Sequence, residues 1–261
     1  MAERAYPGTN RAERNSHSAL RGMLRLLPLL FLGCSSFPAM AENAPLAPRE
    51  PHSYQWELDR NDAPCKSYSS PVAGRDYIAA KAVCDVPARI EVLGAILRDI
   101  ESFPAWMYDC SGSKVLKVED DDNDTIVFWL HQHVPILRDR DMVLRSTVIS
   151  DHSRGVRIIE ARSADDIRHD SGLNVLRMPS FYAQYRLEWI DREHTRVTYL
   201  IDPDLGPGLP TALSNANIRK IPLRSMEGMM KMAKNKKVIE AAKNSKYARW
   251  VEEAIRQGQI R

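Results

Sequence analysis

The sequence predicts an α+β fold, with antiparallel strands in series followed by a long C-terminal helix. Phe181, Ala183, Tyr185, Leu187 and Trp189 alternate with Tyr182, Gln184, Arg186 and Glu188, the pattern of a strand with one apolar and one wet face. Further strand-like runs occupy 114–118, 125–134, 142–150, 156–162, 174–190 and 195–201, with no helical pattern between them. Residues 209–233 then place Leu209, Leu213, Ala216, Leu223, Met226, Met230 and Ala233 near one helical face, with Pro222 in the middle. Four methionines fall within 226–232. Such a helix, laid on a sheet, closes either a core or a cavity.

A helix is expected over 87–100, with Pro87 at a favoured first-turn position and Ile90, Leu93, Ile96 and Leu97 as its stripe. A hairpin of roughly 65–84 precedes it, formed by runs 68–72 and 77–83 that meet at Gly74-Arg75. Glycine suits the first position of a type II′ turn. Pairing about that turn sets Cys65 opposite Cys84, within disulfide reach. Two readings stand here: a disulfide, or two buried free thiols if a longer turn shifts the register.

The 261 residues, 44% of them hydrophobic, suffice for one large domain or two small ones. No apolar run reaches the roughly 20 residues of a membrane-spanning helix. Near the N-terminus, Arg25 precedes the apolar run LLPLLFLG and an exit that ends Ala39-Met40-Ala41. These are the parts of a secretory signal peptide cleaved after Ala41. Met23 is a candidate start, because the residues before it are polar and unpatterned. A lipoprotein anchored through Cys34 is the lesser alternative, since Phe31 stands where a branched aliphatic is usual.

The expected location is therefore outside the cytoplasm, in the periplasm, where paired cysteines oxidise. Segment 1–41 holds five Arg and two Glu, so totals of 37 basic and 34 acidic residues become 32 and 32 in the mature chain. A neutral chain with no basic stripe gives no reason to expect nucleic acid as a partner. The organisation expected is an N-terminal extension and signal peptide at 1–41, a proline-rich flexible lead-in at 42–53, a folded domain at 54–235 and a basic helical tail at 236–261.

Two constellations invite chemistry. Asp120, Asp122 and Asp124 have the odd-position spacing of a calcium loop, but Thr125 and His131 stand where that loop needs Gly and Glu. A charged hairpin turn is the better reading. His131 and His133 share a strand face, and His-x-His can supply two metal ligands, with His152 or Glu160 as a third. Histidines beside Trp129 are more commonly surface residues, and no Ser-His-Asp set, HExxH or phosphate loop is present. Arg140 and Asp141 adjoin on one strand and face opposite ways, so a structural role is expected for each.

Five segments in order resemble the START (StAR-related lipid-transfer) domain family. They are Asp99-Ile-Glu-Ser-Phe-Pro-Ala-Trp106, Ser113-Lys-Val-Leu116, Val134 through Val143 with Arg140-Asp141, Asn174-Val-Leu-Arg177, and Gly208 through Leu223 with Pro222. Together they span about 54–235 and suggest a bacterial exported member. Segment 163–173 departs from the pattern, and Leu130 and Ser146 stand where some members carry a charged pair.

The resemblance implies a helix-grip fold, a curved antiparallel sheet closed by one long C-terminal helix. It also implies binding of a single sterol, phospholipid or fatty-acyl lipid in an internal cavity, carriage between membranes, no cofactor and no catalytic residue. Expected cavity walls are Phe128, Leu130, Met142, Leu144, Phe181, Tyr185 and Leu187 on the strands. Leu213, Ala216, Met226 and Met230 are expected on the helix. Cyclases of related helix-grip fold make an enzyme acting on a hydrophobic substrate the alternative, by cyclisation or metal-assisted hydrolysis. Lys231, Lys234, Lys236, Lys237, Lys243, Lys246 and Arg249, against Glu240 alone, would favour transient contact with an anionic membrane surface.

Overall fold

A computed structural model describes residues 50–134 and 137–261. The expected signal peptide and most of the lead-in lie outside the described residues. The strands are β1 (Glu57–Asp62), β2 (Cys65–Ser70), β3 (Ala79–Val86), β4 (Cys110–Asp120), β5 (Thr125–Gln132), β6 (Arg140–Asp151), β7 (Val156–Ser163), β8 (Leu176–Arg177), β9 (Ser180–Trp189) and β10 (Thr195–Asp204). They form a ten-stranded sheet in the order β1-β2-β3-β10-β9-β7-β6-β5-β4, with β8 paired parallel to β6 and every other pair antiparallel.

This corrects the expected architecture. The sheet is open, with β1 and β4 as its outer strands, and does not curl into a closed grip. The helix expected at 209–233 forms as α2 (Thr211–Ile218) and α3 (Lys220–Met232), and the expected basic tail as α4 (Lys236–Lys243) and α5 (Lys246–Arg256). Pro222 has no N–H to give the Ile218 carbonyl, which interrupts the hydrogen bonding between α2 and α3. Arg219 between them keeps helical dihedrals, φ −57° and ψ −30°. Asn235 and Ser245 then start new helices, their side chains accepting the N–H groups of Lys237 and Ala248.

The apolar stripe is also rotated from the one expected. The buried residues of α2 and α3 are Ser214, Ile218, Ile221, Pro222, Ser225, Met226 and Met229. Two serines sit on this inward line, and a count of apolar residues passes over them. The Ser225 hydroxyl accepts the Tyr108 N–H at 3.2 Å, and Asn215 accepts the Ile78 N–H at 3.2 Å. A Cβ on Gly228 would lie 1.9 Å from the Trp106 carbonyl oxygen, so glycine is what lets α3 approach that chain.

α1 (Ile90–Arg98) packs on α4 and α5, which draws the basic C-terminal segment into the fold. Tyr247, Val251 and Ala254 on α5 are buried. Asp124, in the turn between β4 and β5, fastens this layer. Its buried carboxylate meets Arg98 at 3.1 Å, Lys246 at 2.6 Å and the Tyr247 hydroxyl at 3.2 Å, and it pairs with Arg157. The acidic turn is thus a clamp as well as a hairpin.

Two strand readings change. The run expected across 174–190 divides into β8 and β9 around Pro179. The face of β9 expected to be wet is dry at Tyr182 and Gln184, each 3% exposed. Tyr182 donates to Glu160, and Gln184 donates to Tyr182. On the same side, His52 and Tyr54 bond to Asp202 at 2.7 Å, which ties the incoming chain across the sheet.

Cys65 and Cys84 are directly opposed, with Cα atoms 4.2 Å apart, and form a disulfide in the register set by the 65–84 hairpin. Closing a loop of this length contributes about 3 kcal/mol. The paired variant Cys65→Ser/Cys84→Ser is expected to lose about that much stability in urea unfolding; an unchanged midpoint would contradict it.

Candidate functional site

A cavity of about 60 Å³ lies between the sheet and its helical cover. Strand register explains why it is there. Ser146 on β6 pairs with Ala161 on β7, which pairs with Ala183 on β9. Three small side chains therefore fall in one row across neighbouring strands, and the cover above them is not filled in. Larger residues rim the row. Phe128 faces Leu144, Leu130 faces Met142, and Tyr185 lies between Ile159 and Tyr199. The opposite wall comes from Leu97, the 3-10 helix Ile100–Ala105, the chain at Met107–Cys110, and Ile221 at the start of α3.

The aromatic groups form a chain of contacts. Phe103 meets Phe128 edge-on at 6.2 Å and Trp106 at 5.2 Å, and Trp106 meets Tyr185 at 6.5 Å. Tyr185 stacks on Tyr199 with ring centres 4.0 Å apart. Burial pushes the Tyr185 hydroxyl well above its ordinary pKa, with Tyr199 beside it adding to the shift. Burial likewise pushes the Cys110 thiol up to about 11. Both groups are neutral at physiological pH.

Six of the eleven residues expected as walls border this cavity: Phe128, Leu130, Met142, Leu144, Phe181 and Tyr185. Leu187 shares their face of β9 but lies fully buried in the core beyond Tyr185. Leu213 is 58% exposed and Ala216 is also exposed, because α2 turns Ser214 and Ile218 inward instead. Met226 is fully buried core, and Met230 is half-buried against the same core; neither borders the cavity. Sequence reasoning missed Tyr199 and the residues around Phe103 and Cys110, which reach the site only through sheet order and the fold of the 100–110 segment. The Asp99–Trp106 motif was the available signal for that wall.

The 205–210 loop borders one end, with Leu205 in the lining. Gly206 and Gly208 have φ of +72° and +86°, a region that favours glycine. Three successive carbonyls of this loop are held by side chains. Arg140, 1% exposed, donates to Leu205 at 3.3 Å and to Pro207 at 3.2 Å, and the Tyr77 hydroxyl donates to Gly206 at 2.7 Å. Arg140 also bonds to the Arg138 carbonyl. A buried guanidinium satisfied by carbonyls alone acts as a latch on the loop.

Asp141 faces the other way, as alternation requires. Its carboxylate accepts Arg177 at 2.7 and 2.9 Å and the Trp129 indole at 2.8 Å. Burial pulls its pKa up, yet these partners outweigh that and hold it below its usual 3.8. His131 Nε2 and His133 Nδ1 lie 2.9 and 3.1 Å from the two oxygens of Asp139. His152 packs on Trp250, and Glu160 accepts from Tyr182, so neither joins them. Among the described residues, no three His, Cys, Asp or Glu side chains are grouped to hold a metal ion.

The START domain model matches residues 42–238. This chain belongs to the START family. A curated protein of Pseudomonas aeruginosa, itself uncharacterised, is 24% identical over 184 residues, 69% of this chain and 88% of that one. The STAR-related lipid transfer protein of Xanthomonas axonopodis superposes with a TM-score of 0.61 at 22% identity, over 69% of this chain and 99% of that structure. Human STARD10 gives 0.59 at 17% identity, over 77% of this chain and 78% of that structure. These likenesses establish a shared fold with proteins named for lipid transfer.

Two outcomes test the site. Replacing Arg140 with Met is expected to speed amide exchange at Leu205, Gly206 and Gly208 by about tenfold, with β9 and β10 amides unchanged; equal protection would show that the latch does not hold the loop. Asp141 has a depressed folded pKa, so its contribution is complete above the unfolded value near 3.8 and is lost as pH falls through the folded value. Asp141→Asn is expected to cost about 2 kcal/mol at pH 7, Arg177 being partly exposed, and the cost is expected to shrink as pH falls below about 4 in urea titrations. A cost that does not depend on pH would contradict the assignment.

Proposed function

We propose that this protein binds one lipid in the cavity under α3 and carries it between membranes. The observation that carries this reading is the lining: apolar residues with a few polar groups, His131 among them, and no Asp, Glu, Lys or Arg. Each buried methylene of a ligand is worth about 0.8 kcal/mol, so an apolar enclosure suits a lipid chain. Membership of the START family supports the same reading.

A volume of 60 Å³ has room for a few waters and not for a lipid, so uptake requires the cover to move. The 205–210 loop and α2 are the parts suited to this. Only Ser214 and Ile218 of α2 are buried, and Arg140 and Tyr77 hold the loop by carbonyls it can surrender. The Cys65–Cys84 disulfide supports an exported protein in an oxidising periplasm. Lys231, Lys234, Lys236 and Lys237 are exposed around the junction of α3 and α4, at the end of α3 away from α2, and suit brief contact with anionic headgroups. The mechanism is opening, transfer and closure, with no catalytic step.

Native mass spectrometry after exposure to a membrane extract tests the reading. One lipid per chain is expected. Ala183→Phe, which fills the row of small residues, is expected to reduce the bound fraction at least about tenfold while the protein stays folded. Recovery of unliganded protein alone, or an unaffected Ala183→Phe variant, would count against a lipid site in this cavity.

A further inference from the structure

We infer that the lipid bound in this cavity ends in an uncharged oxygen, a hydroxyl or carbonyl, and that Tyr185 is the residue that selects it. The inference rests on the lipid-binding reading and narrows its ligand class. Buried polar side-chain atoms without a partner, among the described residues, occur on Arg75, Glu91, Trp106, Tyr185 and Trp250. Of these residues, Tyr185 alone borders the cavity. Its neighbour Tyr199 lies parallel to it, and the stacked hydroxyls do not meet in hydrogen-bond geometry. Tyr185 is 6% exposed, so bulk solvent does not reach its hydroxyl. A buried hydroxyl left unpaired is costly, and a ligand oxygen that reaches it recovers that cost as affinity.

The surroundings decide the charge of the partner. An ionised headgroup taken from water needs a counter-charge. None of the lining residues is Asp, Glu, Lys or Arg. His131 also borders the cavity, but from the opposite face of β5 to Phe128 and Leu130, where it stacks on Trp129 and its Nε2 is taken by Asp139. Arg140 stands at the loop end, its guanidinium taken up by backbone carbonyls. The Cys110 thiol is occupied by the Gly112 carbonyl at 3.5 Å. A neutral oxygen therefore finds a partner at Tyr185, whereas a carboxylate or phosphate finds no compensating charge.

The test uses three probes of equal chain length: hexadecanol, hexadecane and palmitate. Each is presented to the mature protein at pH 7.5, and retained ligand is quantified after gel filtration by extraction and gas chromatography–mass spectrometry. The wild type is expected to retain hexadecanol about tenfold better than hexadecane, and better than palmitate. Tyr185→Phe is expected to hold hexadecane as before and to lose the preference for the alcohol. Its melting temperature is expected to be equal or higher, because the variant removes an unpaired hydroxyl. An alcohol preference that survives in Tyr185→Phe, or a wild type that prefers palmitate, would overturn the inference while leaving lipid binding intact. Retention of none of the three would overturn it together with the lipid-binding reading.

Discussion

Burial of one face of an open sheet is the constraint on which the rest of this structure depends. From β3 to β10 the strands turn Ala, Val, Ile, Leu, Phe and Tyr side chains to a common side, and that side must be covered. The chain covers it in pieces. α3 lies close against Trp106 because Gly228 has no side chain, while α1, α4 and α5 form a second patch fastened through Asp124. The 205–210 loop that leads into this cover lies beside the cavity. Stability and access are in this way divided between different parts of the same layer.

The cavity follows from a coincidence of register. Ser146, Ala161 and Ala183 are unremarkable singly; set in one row by two antiparallel pairings, they leave room that large neighbours would fill. Polar chemistry is kept to the margins. Arg140 and Tyr77 spend their donors on the 205–207 carbonyls, and Asp141 turns to the other face. Inside, the tyrosine pair supplies a stacked aromatic surface, and Tyr185 a hydroxyl that lacks a partner.

Much of this was legible in the sequence wherever a local period carried it. The alternation along Phe181–Trp189 placed the inner face of β9, and the two cysteines equidistant from Gly74 placed a disulfide, although the strands end at Ser70 and resume at Ala79 with a longer connection than the two-residue turn expected. The ordered motifs placed the family. What local period could not carry was anything that depends on which strand lies beside which. The small-residue row, Tyr199 and the Asp124 clamp each join residues far apart in the chain. The helix stripe failed for another reason. Ser225 is buried with a hydrogen bond from the Tyr108 N–H, and Ser214 is buried on the inward face of α2, so the apolar Leu213 and Ala216 face solvent instead.

A crystal structure of the mature protein, purified with whatever lipid it retains from a membrane extract, bears most directly on the central claim that this cavity is a ligand site which enlarges on opening. The account predicts density for one lipid beside Phe128, Ala183 and Tyr185, a volume well above 60 Å³, and a displaced 205–210 loop. A retained lipid seated elsewhere on the protein, with the cavity and loop unchanged, would contradict it.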